Sequence, residues 1–219
     1  EGFGNTGVLA RGDGTGRFPI STVVPCSGDL GLAIADLNGD GFPDFIDAPG
    51  RVHPNDGTGS FGTIGAVLPG NYVTLGDLNG DGNLDWIISA DEDSYSLALA
   101  LGDGTGRFGP QWQTDVSSPG PAYVHDFDGD GLTDLAIAGR FDRGGITLHV
   151  GDGAGHVATH RVAGRFISPS ELAAVDLDAD GHIDLAVAHR GPDDDFLGQL
   201  DFAYGDGSGG FSSPQVISG

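Results

Sequence analysis

Apolar residues along this chain come in runs of two to five, each cut short by Gly, Asp or Pro. One set leads into Asp-rich stretches: Ala33-Ile34-Ala35, Val73-Thr74-Leu75, Ala122-Tyr123-Val124 and Leu172-Ala173-Ala174-Val175. A second set leaves them: Phe45-Ile46, Trp86-Ile87-Ile88, Leu135-Ala136-Ile137-Ala138 and Leu185-Ala186-Val187-Ala188. A third run, such as Ile146-Thr147-Leu148 or Leu200-Asp201-Phe202, precedes a Gly-rich turn, and a fourth follows it, as in 61–68 or 211–217. Runs this short, punctuated by Gly and Asp, predict strands rather than helices. Each unit therefore reads as a four-stranded antiparallel meander, strands A to D. The B runs alternate large residues with Ala, which suits a strand covered on both faces by close neighbours. The D runs carry Pro19, Pro110 and Pro214, which places D on the outer edge, where a missing ladder donor is tolerated.

Two motifs alternate through these units. The first occurs four times, starting at 36, 77, 126 and 176, with intervals of 41, 49 and 50 residues. It reads Asp36-Leu-Asn38-Gly-Asp40-Gly41-Phe42-Pro-Asp44, Asp77-Leu-Asn79-Gly-Asp81-Gly82-Asn83-Leu-Asp85, Asp126-Phe-Asp128-Gly-Asp130-Gly131-Leu132-Thr-Asp134 and Asp176-Leu-Asp178-Ala-Asp180-Gly181-His182-Ile-Asp184. The second occurs five times as a Gly-Asp-Gly-type turn, at 12–16, 55–59, 102–106, 151–155 and 205–209. A four-stranded unit of this size matches a propeller blade. The expected architecture is an all-β, β-propeller or partial propeller of four-stranded antiparallel blades. It comprises an N-terminal half-blade (1–24, strands C and D) and four full blades at 25–68, 69–116, 117–163 and 164–219.

The first motif places side-chain oxygens at positions one, three, five and nine. Position seven (Phe42, Asn83, Leu132 and His182) adds a backbone carbonyl. Five or more oxygens, several charged, suit a hard cation that tolerates irregular coordination, which is Ca²⁺ rather than Mg²⁺. Gly at position six lets the backbone fold back sharply. An EF-hand shares the first six positions but needs a bidentate Glu at position twelve and flanking helices. Position twelve here is Asp47, Ile88, Ile137 and Val187, between strands, so an EF-hand is rejected. Asp-Gly hairpin turns alone would explain one copy, not four with the whole ligand set.

Asp-rich loops of this kind, between strands of repeated blades, resemble the FG-GAP and VCBS repeats of integrin α subunits and of many secreted microbial proteins. Phe61-Gly62, Phe108-Gly109 and Asp47-Ala48-Pro49 echo the name-giving residues. The resemblance implies Ca²⁺ on Asp36, Asn38, Asp40 and Asp44 and on their counterparts in the other loops. It also implies extracellular binding or adhesion, without specifying a ligand.

Composition sharpens this picture. The chain has 219 residues, 41 of them Gly, with 32 Asp+Glu against 9 Lys+Arg and a formal net charge of −23. Such a polyanion is repelled by phosphate backbones and anionic membranes, which argues against nucleic acid as a partner. The four loops hold 14 Asp, so four Ca²⁺ would add +8 and move the net charge from −23 to −15. No apolar run approaches the roughly 20 residues of a membrane-spanning helix. With Cys26 alone, an intrachain disulfide and cysteine-rich zinc sites are excluded. The chain opens at Glu1 without a basic-then-apolar leader and is read as a mature form, a domain or a fragment.

Nothing in the sequence argues for catalysis. The seven His are scattered, and the Gly-Asp-Gly turns lack the Lys and helix of a phosphate loop. Arg11-Gly12-Asp13 spells an integrin-recognition tripeptide, but Gly12-Asp13 belongs to the repeated turn and Arg11 merely precedes it. The expectation is a secreted, non-enzymatic, calcium-binding propeller acting as an adhesion or protein-interaction scaffold. The alternative is a glycan-binding, lectin-like module, alone or as an accessory domain of a larger secreted enzyme. Ligand recognition is expected on the B–C and D–A connections, with Tyr95, Arg140, Phe141, Arg190 and Phe196 as candidates. A second subunit or a longer chain is expected to complete the half-blade.

Overall fold

The computed structural model describes residues 6–25, 32–47, 50–64, 72–89, 97–114, 119–139, 145–161, 167–190, 198–213 and 215–216. Among them every regular element is a strand, and no helix is long and apolar enough to cross a membrane. A hairpin of β1 (Thr6–Arg11) and β2 (Ile20–Pro25) comes first. The next sheet holds β3 (Leu32–Ala35), β4 (Asp44–Asp47) and β5 (Arg51–His53). Then come β6 (Tyr72–Gly76), β7 (Asp85–Ser89), β8 (Leu97–Ala100) and β9 (Trp112–Thr114). They are followed by β10 (Pro119–His125), β11 (Asp134–Gly139), β12 (Ile146–Gly151) and β13 (Val157–Arg161). The last sheet has β14 (Ile167–Val175), β15 (Asp184–Arg190), β16 (Gly198–Ala203) and β17 (Gln215–Val216). Strand order within each sheet equals chain order and every pairing is antiparallel, so each sheet is an uncrossed meander.

Two details differ from expectation. Of the fourth strand of the first full blade, expected over 61–68, the described residues show the bridges Asn55 to Phe61 and Val52 to Ile64; residues 65–71 lie outside the described residues. Pro19 and Pro110 precede β2 and β9 rather than sit inside them, so they end the turn without interrupting a ladder. Pro214 lies outside the described residues.

The core lies between sheets rather than within any one of them. The first strands β3, β6, β10 and β14 pack side by side in that order, as in a propeller-like array. Each of the three seams between full blades has its own cluster. Leu37, Ile46 and Val52 meet Trp86 and Ile88 in the first, Leu78, Ile87 and Leu99 meet Leu135 and Ile137 in the second, and Phe127, Ala136 and Leu148 meet Leu185 and Val187 in the third. A single sheet leaves one apolar face bare, so stacking is what completes the core. Glycines at the seams permit the approach. A Cβ on Gly76 would overlap Val124 of the next blade, and one on Gly50 (φ +88°) would overlap the Trp86 ring.

Candidate metal-binding loops

Each Asp-rich loop joins the first two strands of a blade, and its own side chains hold it in shape. The carboxylate at position one accepts amide hydrogens from further along the loop: from Gly39, Asp40 and Gly41 on Asp36, and from Gly129 and Gly131 on Asp126 at 2.7 and 2.9 Å. Position three accepts from the amide of position five, and position five from that of position seven at 2.8 Å in all four loops. These short-range bonds are Asx-type turns, which Asp and Asn form readily. The backbone is left-handed at positions four and six. Gly fills both sites except in the fourth loop, where Ala179 has φ 63°.

The consequence is a convergence of oxygens. Asp126, Asp128 and Asp130 each bring a carboxylate oxygen within 4.8 Å of the others, and so do Asp176, Asp178 and Asp180. The first two loops carry Asn38 and Asn79 at the third position, with two fewer charges between them. In the second loop the Asn79 side-chain amide donates to Asp81 at 2.9 Å. Hydrogen bonds from the Asn83 N–H and from Asn79 hold the Asp81 carboxyl below its usual range.

Position nine is placed differently. Asp44, Asp85, Asp134 and Asp184 open the second strands, are fully buried, and stand outside the two carboxylate clusters. One oxygen of each accepts the N–H of loop position two: Leu37, Leu78, Phe127 and Leu177, at 2.7–3.1 Å. The other accepts an N–H from the start of the Gly-Asp-Gly turn: Asn55, Gly102, Gly151 and Gly205, at 2.8–2.9 Å. Burial pushes Asp44, Asp85 and Asp134 up, the two N–H donors pull them back, and the neighbouring loop carboxylates add to the rise. Each oxygen keeps a second lone pair.

The turns lock to the loops on the same end of each sheet. The position-seven side chains Phe42, Asn83, Leu132 and His182 lie against Gly57, Gly104, Gly153 and Gly207, where a Cβ would overlap them. Asp13, Asp56 and Asp103 accept both the amide and the hydroxyl of the Thr two residues on, which lowers their carboxyl pKa. Arg11-Gly12-Asp13 therefore closes the same turn as its counterparts, with the Asp13 carboxylate engaged by Thr15. Of the candidate ligand-face residues, Tyr95, Arg140, Phe141 and Phe196 lie outside the described residues, and Arg190 closes β15.

Position two was not singled out from sequence. Leu37, Leu78 and Phe127 are buried in the seams, and the following blade covers them. Phe211 lies 6.0 Å from Phe127 between ring centroids, Phe108 packs in the cluster of Leu37, and Val157 packs in that of Leu78. The recurrence of an apolar residue after the first Asp and another just past each turn was the available sign.

Fold and loops together define a class: serial antiparallel sheets of three or four strands, each with an acidic, glycine-hinged loop between its first two strands. Residues 126–187, which contain both all-aspartate loops, match the model of the FG-GAP-like repeat family. Among solved structures, the crystal structure of the V. cholerae biofilm matrix protein Bap1 is similar, with 18% identity and a TM-score of 0.44. That match covers 81% of this chain and 37% of that one, so this chain spans little more than a third of its length. No curated protein matches the chain.

Proposed function

We propose that the chain is an extracellular calcium-binding propeller module that binds a protein ligand and has no catalytic activity of its own. The observation that carries the metal reading is the convergence of three carboxylates within 4.8 Å at Asp126, Asp128 and Asp130 and again at Asp176, Asp178 and Asp180. Hard, charged oxygens on a turn already shaped by its own hydrogen bonds fit Ca²⁺. Positions one, three and five supply the open ligands, position seven a carbonyl, and position nine its remaining lone pairs. Four ions, one per loop, would relieve carboxylate repulsion in a chain of net charge −23. Because the first three loops touch the next blade, calcium bound there would hold blades in register.

We read the ligand as binding on the end opposite the calcium loops. Loops and turns crowd one end of each sheet, and the B–C connections leave from the other. Two observations favour binding over catalysis. The His53–Asp47 and His189–Asp201 pairs, at 3.5 and 3.2 Å, are buried beyond reach of a substrate. The exposed His156–Asp152 pair is part of a turn. Calorimetric titration with Ca²⁺ tests the metal reading: four sites are expected, and two or fewer would refute it. Protein-binding screens and a glycan array, each run with Ca²⁺ and with chelator, test the ligand class, and glycan binding alone would replace the protein reading.

A further inference from the structure

Asn is followed by Gly at two places in the sequence, Asn38-Gly39 and Asn79-Gly80, and both pairs fall at positions three and four of an Asp-rich loop. Gly has no side chain to crowd its own amide nitrogen, so that nitrogen can attack the side-chain carbonyl of the Asn before it. The two pairs share the sequence Asp-Leu-Asn-Gly-Asp-Gly, at 36–41 and 77–82, so a difference between them comes from the fold. Water reaches both: Gly39 and Gly80 are exposed, and a Cβ on either would meet nothing within 4 Å. Both side-chain carbonyls accept the position-five amide hydrogen, from Asp40 on Asn38 at 2.9 Å and from Asp81 on Asn79 at 3.0 Å.

The attacking nitrogen separates them. The Gly39 N–H is tied down, donating to the Asp36 carboxylate at 2.8 Å. In the second loop the Asp77 carboxylate takes its hydrogens from Asp81 and Gly82, at 3.1 and 2.9 Å, and the Gly80 N–H has no hydrogen-bond partner among the described residues. The neighbouring blade adds to the contrast. The Gly106 N–H donates to the Leu37 carbonyl at 2.9 Å, and a Cβ on Gly106 would lie 4.0 Å from that of Asn38, so the first loop is clamped beside its Asn. The corresponding Gly155 lies against Leu101 instead. In the second loop the Asn79 Nδ2 also donates to the Asp81 carboxylate at 2.9 Å, which sets the departing nitrogen beside a group able to relay a proton.

We propose that Asn79 is a site of spontaneous deamidation and that the fold protects Asn38 from the same reaction. The Gly80 nitrogen bonds to the Asn79 Cγ and gives up its proton to water, while the Asp81 N–H stabilises the oxygen on which charge gathers. The Cγ–Nδ2 bond then breaks, Nδ2 takes a proton and leaves as ammonia, and a cyclic imide remains. Water opens the ring. Attack at Cγ gives aspartate with the main chain intact; attack at the main-chain carbonyl carbon gives isoaspartate, with the main chain rerouted through Cγ. The first product gives the second loop the Asp set at positions one, three and five that the third and fourth loops carry. The conversion itself is independent of the calcium reading; only its effect on metal binding rests on that reading.

The test incubates the full chain in chelator at mildly alkaline pH and follows both Asn-Gly pairs in one sample by peptide mapping and mass spectrometry. The same chain held in guanidinium runs alongside. In the folded chain Asn79 is expected to convert about tenfold faster than Asn38, the rate cost of first breaking one hydrogen bond to a carboxylate. In guanidinium the two rates should converge. Labelling with an isoaspartyl methyltransferase should mark the peptide of Asn79 well before that of Asn38. Asp36→Ala releases the Gly39 N–H and should bring the Asn38 rate up toward that of Asn79, which serves as the internal clock. Should that variant fail to fold, the comparison within the wild type decides alone. Equal rates in the folded chain, a faster Asn38, or an Asn79 that stays intact while the unfolded chain converts would each overturn the proposal. So would a difference that persists in guanidinium. Every arm is run without calcium, so failure of the metal reading would leave these outcomes unchanged and be distinguishable from failure here.

Discussion

Asp130 and Asp134 belong to the same loop and sit in opposite surroundings. Asp130 is exposed, accepts one amide hydrogen bond from Leu132, and keeps company with Asp126 and Asp128. Asp134 is fully buried and accepts one hydrogen bond from the loop, at Phe127, and another from the turn, at Gly151. The same contrast recurs between Asp40 and Asp44, Asp81 and Asp85, and Asp180 and Asp184. One carboxylate presents charge to the solvent; the other fastens two backbone segments 24 residues apart (127 to 151). The motif therefore contains two functions, a brace formed by the polypeptide alone and an anionic cluster suited to a cation.

The sharpest way to separate them is to remove the brace. Asp134→Ala leaves two buried N–H groups without acceptors, each costing about 1–3 kcal/mol, so a loss of about 4 kcal/mol is expected. Asp134→Asn keeps one acceptor but turns a donor toward the other N–H, and should lose roughly half as much. Denaturant unfolding in chelator is the measurement. A brace that matters only through calcium would show no difference there.

A buried group away from the loops gives the next largest effect. His149 on β12 is 1% exposed, with Nε2 3.1 Å from the Thr147 hydroxyl, and burial lowers its pKa from 6.5 to about 4. The folded state thus disfavours the charged form, and the unfolded chain binds the proton more readily between those values. Stability from this group is fully present above about pH 6.5 and is lost as pH falls toward 4. The shift corresponds to about 3 kcal/mol at most. His149→Asn should flatten the stability profile between these pH values. A profile unchanged by the substitution would place the acid sensitivity in the carboxylates.

Removing one cluster ligand should act only through the metal. Asp130→Ala is expected to leave stability in chelator nearly unchanged, since its carboxylate holds one exposed bond. It should lower calcium stoichiometry by one and reduce the stabilisation that Ca²⁺ confers. That stabilisation is about 2.7 kcal/mol for one site at a hundredfold excess over its dissociation constant. Thermal melts with and without Ca²⁺, beside calorimetry, decide it. A drop of the Asp134 size in chelator would erase the distinction between the two carboxylates.

Much of this arrangement was legible in the residue pattern, for identifiable reasons. Short apolar runs between Gly and Asp leave little choice but strands, and a motif returning at near-blade intervals implies stacked meanders. The left-handed positions within the loops announce themselves because Gly recurs at Gly39 and Gly41, Gly80 and Gly82, and Gly129 and Gly131. The division of labour among the carboxylates was not legible. A sequence shows Asp134 eight residues after Asp126 and suggests a ligand, whereas the Gly151 amide that occupies one of its oxygens is distant along the chain. The seam residues were hidden for a similar reason: Leu37 and Phe108 are distant along the chain and meet only once the sheets are stacked.

The smallest expected effect compares the third and fourth loops, which have identical acidic positions and differ at position four. Gly129 has φ 78° and Ala179 has φ 63°, so both backbones are left-handed there, but only Ala179 carries a Cβ. That atom crowds the following carbonyl and costs about 1–2 kcal/mol in this conformation. Replacing Ala by Gly also frees the unfolded chain, which returns about 0.4–1 kcal/mol to the unfolded state. The strain relief exceeds the entropic loss, and Ala179→Gly should stabilise the chain by about 0.5–1 kcal/mol. The relieved strain lies in the turn that brings Asp176, Asp178 and Asp180 together, so the gain should appear in chelator and in Ca²⁺ alike. Denaturant midpoints with unchanged slope would register it. A gain seen only with Ca²⁺ would mean that the fourth loop takes its shape from the metal, and that its hydrogen bonds from Asp180, Gly181 and His182 do not suffice to hold it.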